Sequence, residues 1–173
     1  ITMTLRAAFA MLFAAAVAHK LLNAAQFRQT IHSYLRGFGI DGRGAEGPRL
    51  ATLIALEFAV VAACALPSAQ AAAGLLAGGA LLLYAFAMTV NLARGNALLD
   101  CGCTWKIARQ SVHPALIIRN ALLSAIAFTL TVPVGSRHLA AMDVASILIA
   151  IPTITLLYGA ANHLLTFDGP QAE

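Results

Sequence analysis

Residues 71–92 read AAAGLLAGGALLLYAFAMTVNL, a run without one charged side chain. At 1.5 Å per residue an α-helix of this length reaches about 33 Å, enough to cross the roughly 30 Å hydrocarbon core of a bilayer. Gly74, Gly78 and Gly79 lie among many alanines, and small residues of this kind let spanning helices approach closely. Outward from this helix, the stretches 3–22, 49–66, 114–134 and 139–163 are also apolar and long enough to span. Pro48 and Pro114 stand where two of them begin, a position that suits proline. Pro152 should kink the last. The fold class expected is all-α: a polytopic membrane helix bundle of five transmembrane helices, a four-helix core plus one, in a single domain over 1–173.

Composition agrees. The chain has 173 residues, 60% hydrophobic and 10% charged, with mean hydropathy +0.81. A water-soluble domain carries about 25% charged residues, and a chain of this size has too much surface to cover with so few. The opening ITMTLRAAFAMLF resembles a signal peptide, but it lacks a basic leading region and a small-residue cleavage site, so it reads as the first span. The net charge of +4 is spread over loops with few aromatics, which excludes nucleic acid as a partner; membrane lipid is the expected surrounding.

The loops are unequal. PSAQ (67–70) and GSRH (135–138) are minimal turns. Loop 23–47 is long, and in it Phe27, Ile31, Tyr34, Leu35 and Phe38 alternate with Arg28 and Arg36, the pattern of a short amphipathic helix at the membrane interface. With five crossings, loops 23–47 and 93–113 share one side.

Scarce polar groups converge on that side. His19 and Lys20 close the first span, Glu57 lies about 12 Å below the start of the second, Asn91 ends the third, Arg119 and Asn120 open the fourth, and Asn162 and His163 close the fifth. An ionisable group in a bilayer costs about 2.5–3.5 kcal/mol, so such groups turn inward and pair. Glu57 is expected to pair with Lys20 or Arg119. The plainer alternatives are a snorkelling Lys20, a purely structural ion pair, and asparagines that serve as interhelical glue. The opposite end offers only Arg6, Cys64, Arg137, His138 and Asp143, with Cys64 a small buried side chain.

Loop 93–113 holds Cys101-Gly102-Cys103. Cysteines two residues apart lie about 7 Å apart when extended, beyond the usual disulfide spacing of about 5.5–6 Å. Gly102 lets the chain turn cheaply between them. The small ring that results is strained, and strained disulfides are the labile, oxidising ones. Arg94, Lys106 and Arg109 favour thiolates, while Asp100 opposes them. The pair is thus a candidate redox centre, with Cys101, Cys103, Arg94 and Lys106 as its reactive set. A soft-metal site completed by His113, His19 or His163, and inert loop cysteines, are the alternatives. Trp105 is an interfacial anchor or a stacking platform for an aromatic cofactor.

Together, A-x-K-L at Ala18–Leu21, the membrane Glu57, N-L-x-R-G at Asn91–Gly95, C-G-C at Cys101–Cys103 and R-N at Arg119–Asn120 resemble the MauE/DoxX-like membrane proteins, and most of all the methylamine-utilisation MauE type. The likeness runs from about residue 5 to 125. It implies a bacterial inner-membrane protein that works with a thioredoxin-like periplasmic partner (MauD-like) in disulfide formation during maturation of methylamine dehydrogenase. Cys101 and Cys103 would be its redox pair, with Lys20, Glu57, Asn91, Arg94, Arg119 and Asn120 as the polar shell. The family's C-G-C-F-G becomes Cys103-Thr104-Trp105 here, so the turn after the second cysteine differs.

Orientation divides these signals. Eight basic residues, from Lys20 to Arg109, lie on the Cys-loop side against Arg6 and Arg137 opposite, which by the positive-inside rule puts the loop in the cytoplasm. The resemblance implies the periplasm, where disulfides persist, and the periplasm is the expectation taken. The expected function is a membrane thiol–disulfide oxidoreductase passing electrons to or from a quinone held between helices near Glu57, Arg119 and Trp105, with no metal. A soft-metal carrier and a non-catalytic assembly factor are the rivals.

Overall fold

The structure, a computed structural model, describes residues 2–40, 44–95 and 114–132, and beyond these Ala145, Ile149, Ala150, Pro152, Thr153, Leu156, Gly159 and Ala160. The described residues form α1 (Thr2–Leu22), α2 (Ala24–Gly37), α3 (Glu46–Ala65), α4 (Gln70–Ala93) and α5 (Pro114–Phe128). Short 3₁₀ turns at Pro67–Ala69 and Thr129–Thr131 precede α4 and follow α5. With those turns counted, α1, α3, α4 and α5 are long and apolar enough to cross a membrane. The isolated residues between 145 and 160 are helical. The rest of the expected fifth span, including the neighbours of Pro152, lies outside the described residues.

The interior is built from small side chains. Ala63, Ala73, Ala77, Ala80 and Ala127 are buried with Phe9, Phe13, Val60, Leu81 and Leu130. Many other large apolar side chains point outward: Leu22, Phe58, Phe86, Ile118 and Leu122 are each more than half exposed. A soluble protein rarely shows so much apolar surface, whereas lipid accepts it. α1 packs along α3 and α4 along α5, and an α3–α4 contact joins the two pairs.

Both pairs run antiparallel, pinned at the end of the bundle away from the Cys loop. Arg6, buried near the start of α1, donates from Nε and Nη2 to the Cys64 carbonyl at 3.0 and 2.7 Å. Arg6, at the end where the sequence places it, satisfies one of the carbonyls that the last turn of α3 leaves unpaired, and its positive charge suits that helix end. A hydrogen bond to a charged group contributes about 1.5–3 kcal/mol, so Arg6→Met should lower the thermal midpoint in detergent clearly, with Arg6→Lys intermediate. Across the other pair, Gln70 donates to the carbonyls of Leu130 and Val132, both at 3.0 Å.

The α4–α5 seam depends on two of the three glycines. A Cβ at Gly74 would lie 2.8 Å from the Ala127 carbonyl oxygen, and one at Gly78 would meet the Phe128 ring at 2.7 Å. Among the described residues nothing lies within 4 Å of a Cβ at Gly79, so it makes no close approach to them. Ser124 uses the same proximity to donate to the Gly78 carbonyl at 2.9 Å. Gly74→Ala must move backbone and should destabilise by about 1–3 kcal/mol. Gly79→Ala should be neutral or slightly stabilising, because alanine is the better helix former. Denaturation midpoints of the two purified variants check this.

α5 ends earlier than the expected 134. After Phe128 the chain tightens, with Thr129 and Thr131 hydroxyls bonded to the carbonyls of Ile126 and Phe128. Val132 is extended, as the residue before a proline tends to be. α3 begins at Glu46 rather than 49, with the acidic side chain in its first turn, where the helix dipole favours it.

Candidate functional site

The amphipathic segment in loop 23–47 is α2, and it covers the end of the bundle from which the Cys loop departs. Its apolar face, Phe27 and Ile31, packs on Leu50 of α3. Its C-terminus closes at Gly39, which has φ +76°, with Gly39 N–H bonded to the Arg36 carbonyl and Ile40 N–H to the Leu35 carbonyl. That paired cap needs a left-handed residue, and glycine takes the conformation without strain. α4 ends in the same manner: Gly95 has φ +77° and its N–H bonds to the Leu92 carbonyl.

Arg94, the residue before that glycine, donates through Nη1 to the carbonyl of Gly37 at the end of α2. The N-L-x-R-G stretch therefore has a structural reading. Asn91 is buried on the last turn of α4, Gly95 ends the helix, and Arg94 ties α2 to it.

The centre of this end is an ion pair. Lys20 Nζ lies 2.6 Å from Glu57 Oε1, with the two side chains 4% and 0% exposed. Lys20 does not snorkel; α2 closes over it, and its ammonium sits 5.1 Å from the ring centre of Phe27 and 5.5 Å from that of Tyr84. Such faces attract cations. Counted from the observed start of α3, Glu57 lies about 16 Å along the helix, deeper than expected. Tyr84 of α4 donates its hydroxyl to the same Oε1 at 2.6 Å. Tyr84 was not among the expected site residues; its signal was a phenol in an otherwise apolar span, a group that takes a hydrogen-bond partner when buried. Tyr84→Phe removes one charge-assisted bond and should cost about 1.5–3 kcal/mol, read as a lower thermal midpoint.

The other expected residues divide. Asn91 and Asn120 are buried on α4 and α5, and Asn91 Nδ2 donates to the Ala87 carbonyl. Arg119 is half-buried on α5; of the two partners expected for Glu57, the ion pair forms with Lys20. His19 meets Phe27 edge-on, 5.5 Å between ring centres. Glu57 Oε2, Asn91 Oδ1 and Asn120 Nδ2 meet no hydrogen-bond partner among the described residues. A buried polar atom without a partner costs about 1–3 kcal/mol, and these three lie toward the end where residues 96–113, outside the described residues, join α4 to α5. Cys101, Cys103, Trp105 and Lys106 lie outside the described residues. By chain connectivity their loop leaves α4 at Gly95 and returns at Pro114, both at this end.

Between α2, α3 and α4, with Lys20 at its inner wall, is a cavity of about 380 Å³. Ile31, Tyr34, Leu53, Leu83, Tyr84 and Met88 form much of its lining.

The family model described as methylamine utilisation protein MauE matches residues 1–133. The chain belongs to the MauE family. It is 32% identical to methylamine utilization protein MauE of Paracoccus denitrificans over 166 residues, covering 92% of this chain and 84% of that protein. The counterpart from Paracoccus versutus is 32% identical over 161 residues, with the same coverage. That from Methylophilus methylotrophus is 28% identical over 167 residues, with 94% and 84% covered. No solved structure matches. The MauE match begins at the first residue and runs through α5, so it takes in the ion pair, α2 and the Cys loop together.

Proposed function

We propose that this MauE-family chain is a membrane thiol–disulfide oxidoreductase of a methylamine-utilisation system, in which Cys101 and Cys103 exchange a disulfide with a thioredoxin-like, MauD-type partner in the periplasm. The observation that carries this reading is the buried Lys20–Glu57–Tyr84 centre, placed at the end where the Cys loop leaves and re-enters the bundle. The exchange balances by itself. A partner thiolate attacks one sulfur of the Cys101–Cys103 disulfide and forms a mixed disulfide. The second partner thiol then displaces it, so the partner is oxidised and the Cys pair leaves as a dithiol. Arg94 and Lys106 are the cations that favour the departing thiolate. The periplasmic partner then delivers its disulfide to the maturing enzyme.

Two measurements test the reading. With the partner's second cysteine replaced by serine, exchange stops after the first step, and a mixed disulfide between the partner and Cys101 or Cys103 should accumulate in non-reducing gels. Its absence when the chain keeps both Cys101 and Cys103 argues for a docking role alone. A membrane-impermeant maleimide should label the reduced Cys pair in intact spheroplasts. Labelling only after lysis would put the loop in the cytoplasm, as the basic-residue count does.

A further inference from the structure

We propose that the cavity beneath α2 binds the headgroup of a membrane quinone, which receives the two electrons of the thiol pair; this rests on the redox reading above and assigns its electron acceptor a place. The cavity is about 380 Å³, within the range of small-molecule sites. Most of its walls are aliphatic and aromatic, supplied by Ile31 and Tyr34 of α2, Leu53 of α3, and Leu83 and Met88 of α4, with Arg49, Thr30 and Thr52 also in the lining. Such walls fit a planar ring with a hydrocarbon tail.

The polar end of the cavity selects the class of ligand. Lys20 lines it and carries three N–H donors, of which one is directed at Glu57 Oε1. Because Glu57 is fully buried and 2.6 Å away, the ammonium is already charge-compensated. Against Lys20, a phosphate or carboxylate would bring a second negative charge beside Glu57 into a desolvated position, which is costly; Arg49, the other cation of the lining, is on α3. A neutral carbonyl oxygen takes a hydrogen bond from Lys20 without that penalty. A quinone offers such a carbonyl on a flat apolar ring, and it is a membrane-dissolved two-electron acceptor. The site therefore lies against Lys20 and Tyr84.

The redox step balances. The Cys101–Cys103 dithiol loses two electrons and two protons and closes its S–S bond; the quinone gains two electrons and two protons and becomes the quinol. Lys20 donates its hydrogen bond to the carbonyl that becomes a hydroxyl.

The test uses the full chain in lipid nanodiscs and a photoactivatable azido-quinone with a short prenyl tail. After illumination, peptides are mapped by mass spectrometry. The label is expected on α2 and α4 at the cavity wall and is expected to fall with added decylubiquinone. Ala87→Phe and Thr30→Phe each place a ring at a wall residue of the cavity and should lose the label. Their thermal midpoints report whether each is folded, and the label position in the unaltered chain needs no variant. Labelling spread over the lipid-facing surface, labelling unaffected by either folded variant, or a phospholipid that decylubiquinone fails to displace overturns the proposal. Partner exchange is read separately. Exchange without labelling overturns the quinone site alone, and labelling at the cavity without exchange supports the site while overturning the thiol reading.

Discussion

Replacing Glu57 with leucine while Lys20 remains should give one of the least stable single variants of this protein. The ammonium would then be buried under α2 with no counter-charge, and breaking a buried ion pair from one side costs about 3–5 kcal/mol. Lys20→Met should cost a similar amount, leaving Glu57 charged with Tyr84 as its remaining hydrogen-bond donor among the described residues. The double variant Lys20→Met/Glu57→Leu should recover much of the loss, because two apolar side chains of similar volume suit that interior. The cycle thus separates a pair kept for stability from one kept for chemistry. If the pair serves function, the double variant is stable and its exchange activity is lost. Thermal midpoints of the four proteins in one detergent provide the first readout, and disulfide delivery to the partner the second. Near-additive losses would mean that Lys20 and Glu57 do not depend on each other.

The second large effect falls on the cysteines and should leave stability untouched. Either Cys101→Ser or Cys103→Ser removes a sulfur that the exchange needs, and serine cannot form the mixed disulfide, so turnover with the partner should fall to background. The described bundle is held by α1–α3 and α4–α5 packing together with the Arg6, Gln70 and Lys20 contacts, none of which involves the loop. The thermal midpoint of either variant should therefore match that of the unaltered chain within about 0.5 kcal/mol, the usual range for substitutions away from the core. Replacing Cys64, buried at the opposite end, should leave exchange intact.

Much of this architecture could be read from residue patterns because a bilayer imposes few options. A mostly apolar run of about twenty residues must be a helix, since no other lone segment satisfies its backbone in lipid; α1, α3 and α4 accordingly fall within three residues of the expected bounds. α2 was legible from the spacing of Phe27, Ile31 and Tyr34. The pairing of Glu57 was narrowed to two cations but not to one, because depth along a helix does not give rotation about it. Lys20 won through a feature of tertiary structure: α2 folds back over the end of α1 and seals the ammonium among Phe27 and Tyr84. Tyr84 carried no expected role and Arg6 only a position at the end opposite the Cys loop, yet each is the hydrogen-bond partner of a group distant in sequence. Arg94 shows the converse. A cation near cysteines suggests thiolate stabilisation, yet its guanidinium also fastens α2 to α4, a duty that only the fold displays.

The decisive measurement is a thiol count on Cys101 and Cys103 in protein taken from membranes under acid quench, alkylated, and digested for mass spectrometry. The expected result is that both cysteines resist alkylation together at the outset, as one disulfide, and that both become alkylated after incubation with the reduced thioredoxin-like partner. Two thiols that alkylate fully and independently before and after the partner is added would contradict the proposed redox centre.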